Sequence, residues 1–328
     1  MKKLILILTA ALMLILCACS TVSQEQTESA EDELIVVGII QVGAESDWRI
    51  ANTESMKSQF TEARGYRMLF EDARQKQENQ IMAMRKFIQQ KVDYIILMPI
   101  SEYGWEPVLQ DAKNAGIPVI LVDRMISVED DSLYTAHVGS DFYSQGMKAI
   151  QWMEKEFEDR ESLNIVHITG TLESTAQIGR TKALEEAAKA HEGWNILAQM
   201  DGDFTQPKAY SVMSEYLDQL SPDTVIDVVY CENDNEAFGA IDALEEHGYV
   251  CGENVQVISF DATRGCLQLC MQGKISLAVE CNPLLGPLAE EIILAIENGQ
   301  QPEKHNYVEE QSFTGAVLTE AFIQQRGY

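Results

Sequence analysis

The chain has 328 residues, enough for one large domain or two ordinary ones with substantial cores. Its 24 Lys+Arg stand against 52 Asp+Glu, a formal net charge of −28, which repels nucleic acid and anionic lipid and argues against a DNA or RNA partner. With 46% hydrophobic and 23% charged residues, the composition is that of a globular protein and not of an acidic disordered one.

Residues 1–18 read as a leader. Lys2 and Lys3 precede an apolar run over 4–16 that is short for a membrane span. The run ends L-C-A-C, which resembles the lipobox of bacterial lipoproteins and implies cleavage before Cys19 and acylation of its thiol. Residues 19–33 are rich in Ser, Thr, Gln and Glu without periodicity and read as a flexible tether.

The folded body opens on a continuous apolar strand at 34–40, as a strand covered on both faces must be. A helix over 48–64 closes at Gly65, and a strand follows at 66–70. The helix over 76–90 carries Ile81, Met84 and Ile88 at the spacing of a buried stripe. A strand at 92–97 leads into a helix with Pro107 in its first turn, stopped by Gly116 and Pro118, and a strand at 119–122 ends in Asp123-Arg124. After an apolar stretch at 133–139 the pattern resumes with strands at 163–169, 194–200, 225–231 and 255–260. Helices at 175–191, 207–220 and 236–247 separate them, and a tail adds a strand at 275–280, a helix at 284–298 and a last strand near 307–311.

The two halves echo each other. V-D-Y-I-I-L (92–97) matches I-D-V-V-Y (226–230), and I-P-V-I-L-V-D (117–123) matches V-Q-V-I-S-F-D (255–261), so that Asp93 corresponds to Asp227 and Asp123 to Asp261. Two copies of one βα unit predict an α/β protein of two similar lobes with parallel sheets, and a cleft between them is a natural ligand site.

Enzyme signatures are missing: there is no G-x-S-x-G turn, P-loop, G-x-G-x-x-G or H-E-x-x-H, and the five histidines are scattered. No metal or cofactor is expected. The E-N-D-N run at 232–235 lacks the Gly and closing Glu of a calcium loop. Five cysteines in the body show no zinc spacing; Cys266 and Cys270 form a helical i,i+4 pair that an exported protein is free to oxidise. The strand ends instead gather groups that suit hydroxyls: Glu45, Ser46, Arg49, Asp72, Asp123, Arg124, Arg180, Asn233, Asp261 and Glu280. Trp48, Trp105 and Phe204 lie near enough in the chain to stack on a ring.

V-G-A-E-S-D-W-R (42–49), Q-K-Q-E-N-Q (75–80), G-W-E-P-V-L (104–109), D-R (123–124), G-D-F-T (202–205) and the terminal G-Y resemble the galactofuranose-binding proteins of sugar ABC importers, within the ribose/galactose (type I) periplasmic binding proteins. The resemblance covers nearly all of the chain after the leader. It implies two Rossmann-like lobes joined by a three-segment hinge, with 34–139 and 281–308 in the first and 140–280 and 309–328 in the second. It implies closure around one monosaccharide, delivery to ABC permease subunits, and ligand contacts from Ser46, Trp48, Arg49, Asp72, Asp123, Arg124, Arg180, Phe204, Asn233, Asp261 and Glu280. A monomer held at the membrane through Cys19 is expected; a sugar sensor signalling to a histidine kinase or chemoreceptor is the alternative. The sequence departs from the family at Ala73-Arg74, Glu232, Asn235 and Ala262, and Arg74 and Glu232 are expected to put charge near the cleft rim.

Overall fold

The computed structural model describes residues 34–328; the leader, the tether and Cys19 lie outside the described residues. Strands β1 (Ile35–Gln41), β2 (Tyr66–Asp72), β3 (Tyr94–Leu97), β4 (Val119–Val122), β5 (Ala136–Gly139) and β11 (His305–Tyr307) form one sheet in the order β11-β5-β4-β3-β1-β2. Strands β6 (Leu163–Thr169), β7 (Trp194–Asp201), β8 (Val228–Cys231), β9 (Gln256–Asp261), β10 (Leu277–Glu280) and β12 (Ser312–Phe313) form the second, in the order β12-β10-β9-β8-β6-β7. All neighbours pair in parallel except β12, which is antiparallel to β10. Replacing β1–β5 by β6–β10 converts one order into the other, so the repeat in the sequence is a repeat of topology.

Each sheet is covered on both faces. In the first lobe, helices α1 (Asp47–Gln59) and α9 (Gly286–Glu297) meet one face, around Met56, Phe60, Ile96, Leu285 and Ile293. Helices α2 (Gln77–Gln90) and α3 (Glu106–Asn114) meet the other, around Met84, Phe87, Ile95, Trp105 and Leu109. In the second lobe α4 (Phe142–Glu156) and α5 (Thr175–Ala190) oppose α6 (Gln206–Gln219), α7 (Asp234–Glu246) and α8 (Arg264–Met271) across the sheet; α10 (Glu320–Gln325) closes the chain. This double cover is why the central strands are continuous apolar runs.

The repeated aspartates do the same work in both lobes. Asp93 donates its N–H to Val36 O (2.9 Å) and accepts Val36 N–H on Oδ2 (2.7 Å). Asp227 donates to Asn164 O (2.9 Å) and accepts Asn164 N–H on Oδ2 (2.8 Å). Each pins the entry to its second central strand onto the first.

Several sequence expectations are corrected. The first helix ends at Gln59, and residues Glu62–Arg64 form a separate 3-10 turn before Gly65. On α2 the buried face is Gln80, Ala83, Met84 and Phe87, with Ile81 and Ile88 at its margin. Helix α4 was not anticipated as an element and α8 only through the helical spacing of Cys266 and Cys270, and in place of the strand expected near 307–311 there are two, β11 ending at Tyr307 and β12 beginning at Ser312. Cys231, Cys251, Cys266, Cys270 and Cys281 are all free and buried.

The chain passes between the lobes three times: after β5, after β10 and between β11 and β12.

Candidate functional site

The carboxyl ends of both sheets face one another across a cavity. Parallel sheets bind ligands at this edge, because the loops there are free of the packing that fixes the opposite edge. Glu45, Ser46, Trp48, Arg49, Asp123 and Arg124 line it from the first lobe, and Phe142, Ala176, Arg180, Phe204, Asn233 and Asp261 from the second, with Cys281 from a crossing segment.

Backbone geometry aims these side chains. Ser46 caps α1, its Oγ accepting Arg49 N–H (3.1 Å), which sets Arg49 on the first turn above the cavity. Asp123 and Asp261, at matching strand ends, both have positive φ (68° and 104°). The chain turns there in the left-handed region, a conformation that Asp tolerates better than most residues. Phe204 is held at φ 58° in the loop after β7, a strained position for a bulky residue. Its ring lies over Gly170, where a Cβ would approach the ring to 2.0 Å, so only glycine leaves room.

The charged groups interlock. Arg49 donates Nε–H to Glu45 Oε1 (2.9 Å) and Nη2–H to Asp123 Oδ2 (2.7 Å). Burial alone would lower its pKa, but Asp123 and Glu45 outweigh that and raise it. Arg124 donates Nη1–H to Ile100 O (3.2 Å) and has Glu45 Oε1 at 3.6 Å; burial and the neighbouring Arg49 lower its pKa. Arg180 stands 3.7 Å from Asp261. Burial pushes the Asp261 carboxyl well up, against the pull of Arg180. Three guanidiniums thus meet three carboxylates. Inside this enclosure Glu45 Oε2, Arg49 Nη1 and Arg124 Nε have no hydrogen-bonding partner among the described residues. Trp48 and Phe204, with Phe142 and Ala176, form the apolar part of the wall.

The two walls touch. Asp47 N–H donates to Asn235 Oδ1 (3.1 Å), Met125 N–H to Thr175 Oγ1 (2.9 Å) and Glu102 N–H to Glu173 O (3.0 Å), while Trp48 Nε1–H ties the first wall to the second crossing through Cys281 O (2.7 Å). The cleft is closed.

Of the residues singled out in the sequence, Ser46, Trp48, Arg49, Asp123, Arg124, Arg180, Phe204, Asn233 and Asp261 meet at this cavity, and Asp72 and Glu280 do not. Asp72 is exposed and accepts Arg74 N–H (2.7 Å) in its own loop. Glu280 turns toward the carboxyl-terminal tail, taking Arg326 Nη1 (2.9 Å), the Tyr328 hydroxyl (3.0 Å) and Gln311 N–H (2.9 Å). Ser46 and Asn233 reach the cavity, but their side chains are engaged as helix caps; Asn233 also donates Nδ2–H to Phe204 O (3.1 Å). Trp105 is a core residue with no exposed surface, its indole N–H bonded to Ser101 O (2.8 Å). Glu232 is not at the rim: it is fully buried behind the site, accepting from Gly170 N–H (2.8 Å) and Thr181 Oγ1 (2.6 Å), with His167 Nε2 at 3.0 Å. Glu236 is likewise buried, accepting Phe204 N–H (2.9 Å) and Asn233 N–H (3.1 Å). The polar run after β8 therefore serves protein donors. Phe142, Ala176 and Cys281 were missed; for Phe142 the S-D pair that caps its helix, placed after a strand end like Ser46, is a readable signal.

A family model described as a periplasmic binding protein domain matches residues 37–301. The chain is 37% identical over 286 residues to the galactofuranose-binding protein YtfQ of Escherichia coli strain K12, spanning 87% of this chain and 89% of that one. Among solved structures, the periplasmic binding protein component of the arabinose ABC transporter from Shewanella sp. ANA-3, bound to α- and β-L-arabinofuranose, is 35% identical at a TM-score of 0.84, covering 89% of this chain and 95% of that one. A Mycobacterium smegmatis protein in complex with β-D-fucofuranose is 38% identical at a TM-score of 0.82, covering 86% and 92%.

Proposed function

Since the chain belongs to the periplasmic binding protein family, we propose that it is a lipid-anchored receptor that closes on one neutral monosaccharide in its furanose form and presents it to an ABC permease. Membership in the family makes it an extracytoplasmic solute-binding protein with a type I fold, and not an enzyme. The finer statements are our reading.

The observation that carries it is the set of unpartnered polar atoms in the closed cavity: an acceptor, Glu45 Oε2, beside two guanidinium donors, Arg49 Nη1 and Arg124 Nε. A buried donor or acceptor without a partner costs about 1–3 kcal/mol, so the enclosure favours a ligand that both gives and takes hydrogen bonds. A hydroxylated ring does both. Each of the three arginines already lies beside a carboxyl of the wall, Arg49 and Arg124 beside Glu45 and Asp123 and Arg180 beside Asp261, so no guanidinium is left unaccompanied for a phosphate or a sugar acid. Trp48 and Phe204 supply the apolar surface against which a ring face packs. The furanose form rests on the three relatives named above, each described with a furanose. Anchoring through Cys19 and a permease partner rest on the lipobox-like leader and on the importers to which such proteins belong.

A thermal-shift screen of residues 20–328 against aldoses, their phosphates and their acids tests this reading. A neutral sugar at 100 times its Kd adds about 2.7 kcal/mol of stability, and Arg124→Ala, which strips Asp123 and Glu45 of a buried cationic neighbour, removes that response. Stabilisation by sugar phosphates alone, or by no sugar at all, contradicts it.

A further inference from the structure

Arg180 is the only guanidinium among the cavity-lining residues that comes from the second lobe, and it is held from behind. Gln145 of α4, fully buried, accepts Arg180 Nε–H (3.0 Å) and Nη2–H (2.8 Å) on its single Oε1. Arg180 Nη1 also donates to Glu232 O. The guanidinium is packed between Phe142 (5.3 Å) and Phe260 (4.8 Å). Of its five N–H groups, these bonds use Nε–H and one on each terminal nitrogen, which leaves the second hydrogen of each Nη toward Asp261 and the cavity.

Gln145 has a second hand. Its Nε2–H donates to Glu310 Oε2 (2.6 Å). Glu310 sits between β11 and β12, in the third crossing between the lobes, and its other oxygen, Oε1, accepts the Ser140 hydroxyl (2.6 Å) and Asn282 N–H (2.8 Å). Ser140 belongs to the first crossing and Asn282 to the second. One carboxylate therefore gathers all three hinge segments, and one amide connects that knot to an arginine of the cavity wall. Lys148 of α4 adds a bond to Glu310 O (2.6 Å), so the helix that carries Gln145 grips the same segment twice.

From this geometry we infer that Gln145 and Glu310 are positioning residues for ligand recognition, a relay that ties the aim of Arg180 to the state of the hinge. The inference rests on the sugar-binding reading for what Arg180 recognises. The mechanism is geometric. A lobe rotation bends each of the three crossings separately, and a change in the spacing of Ser140 and Asn282 breaks the set of bonds by which Glu310 holds both together with Gln145. When the three crossings converge, Gln145 is locked by donors and acceptors on both of its amide atoms, and Arg180 has one orientation. Binding and closure become linked free energies, each favouring the other. Gln145 itself touches no ligand; it acts through Arg180.

A relay has a signature that loosened packing lacks. Gln145→Leu preserves size but leaves two Arg180 N–H groups and one Glu310 oxygen without partners; the expected loss of sugar affinity is tenfold or more, and in an Arg180→Lys background the same change costs less than about twofold. Gln145→Glu alone sets two carboxylates against each other and weakens binding. Adding Glu310→Gln restores one acceptor toward Arg180 and one amide toward the hinge, and recovers affinity to within about threefold. A ligand-free arm keeps the inference separate from the identity of the sugar. In nitrogen-15-labelled protein the Arg180 Nε–H signal, assigned by its loss in Arg180→Lys, exchanges slowly in the wild type and in the Gln145→Glu/Glu310→Gln pair, and rapidly in Gln145→Leu. If no sugar binds the wild type, the functional reading falls while the exchange measurement still decides the relay. A signal that stays protected in Gln145→Leu overturns the relay with or without a known sugar. Additive losses with Arg180→Lys overturn it once a sugar is bound.

Discussion

Asp261 is the residue whose chemistry is least ordinary for its place in the chain. It lies at a strand end with φ 104°, faces Arg180, Arg49, Asp123 and Asp234, and burial pushes its carboxyl well up; Glu236 behind it is raised by burial as well. Between the ordinary carboxylate range and these raised values, the folded protein holds protons that the unfolded chain has released. The contribution of these two groups to stability is therefore greatest at the low end of that window and falls as pH rises through it. Ligand affinity runs the other way, since an ionised Asp261 accepts stronger hydrogen bonds than a protonated one. Melting temperature is expected to fall and sugar affinity to rise as pH increases across the window, with the affinity trend flattened in Asp261→Asn. An affinity independent of pH in the wild type would remove Asp261 from ligand contact. Most of the cavity was legible residue by residue because strand-end position and side-chain type both mark it. What failed was direction. Glu280 ends a strand like Asp261, yet β10 lies next to β12, and the tail residues Arg326 and Tyr328 claim its oxygens first. Trp105 sits in a specific motif, but a large apolar ring at the start of a helix finds the core.

Elements were legible where periodicity was strong and both ends carried a signal. Strand β6 and the start of α5 lie where the apolar run and the cap residue put them. Helix α4 was missed although Phe142, Gln145, Gly146, Ala149, Ile150 and Met153 make a regular buried stripe. Half of that stripe is small or polar. Gly146 is there because a Cβ would meet that of Ala183 at 2.5 Å, and Gln145 because Arg180 and Glu310 need an amide. The matched aspartates Asp93 and Asp227 give the element scale its test. Replacing either by Ala removes the acceptor of a strand N–H, that of Val36 or Asn164; the first bond is exposed and the second part-buried, so each costs about 0.5–1.5 kcal/mol. Arg160, which pairs with Asp227 at 2.6 Å, is half exposed and adds little. Urea unfolding should show similar losses in the two variants with sugar affinity unchanged, because both residues lie at the strand ends opposite the cavity. A loss confined to one lobe would mean that the repeat is one of topology without equivalent energetics.

At the scale of the molecule, function follows from where the two sheets point and how they are joined. Two copies of one α/β unit set the carboxyl edges of their sheets face to face, three crossings join them, and contacts such as Asp47 to Asn235 and Glu102 to Glu173 fasten the closed form. The lobes were readable from the repeat alone. The order of the crossings was not, because β11 and β12 together span five residues and carry almost no periodic signal. Closure around one neutral sugar in its furanose form is tested by calorimetric titration of residues 20–328 with two analogues. 5-Deoxy-D-galactose cannot close a pyranose ring, and 4-deoxy-D-galactose cannot close a furanose. One saturable site per chain is expected for the 5-deoxy sugar, and at least about tenfold weaker binding, a difference of about 1.4 kcal/mol, for the 4-deoxy sugar. Equal binding of the two, or preference for the pyranose, would contradict it.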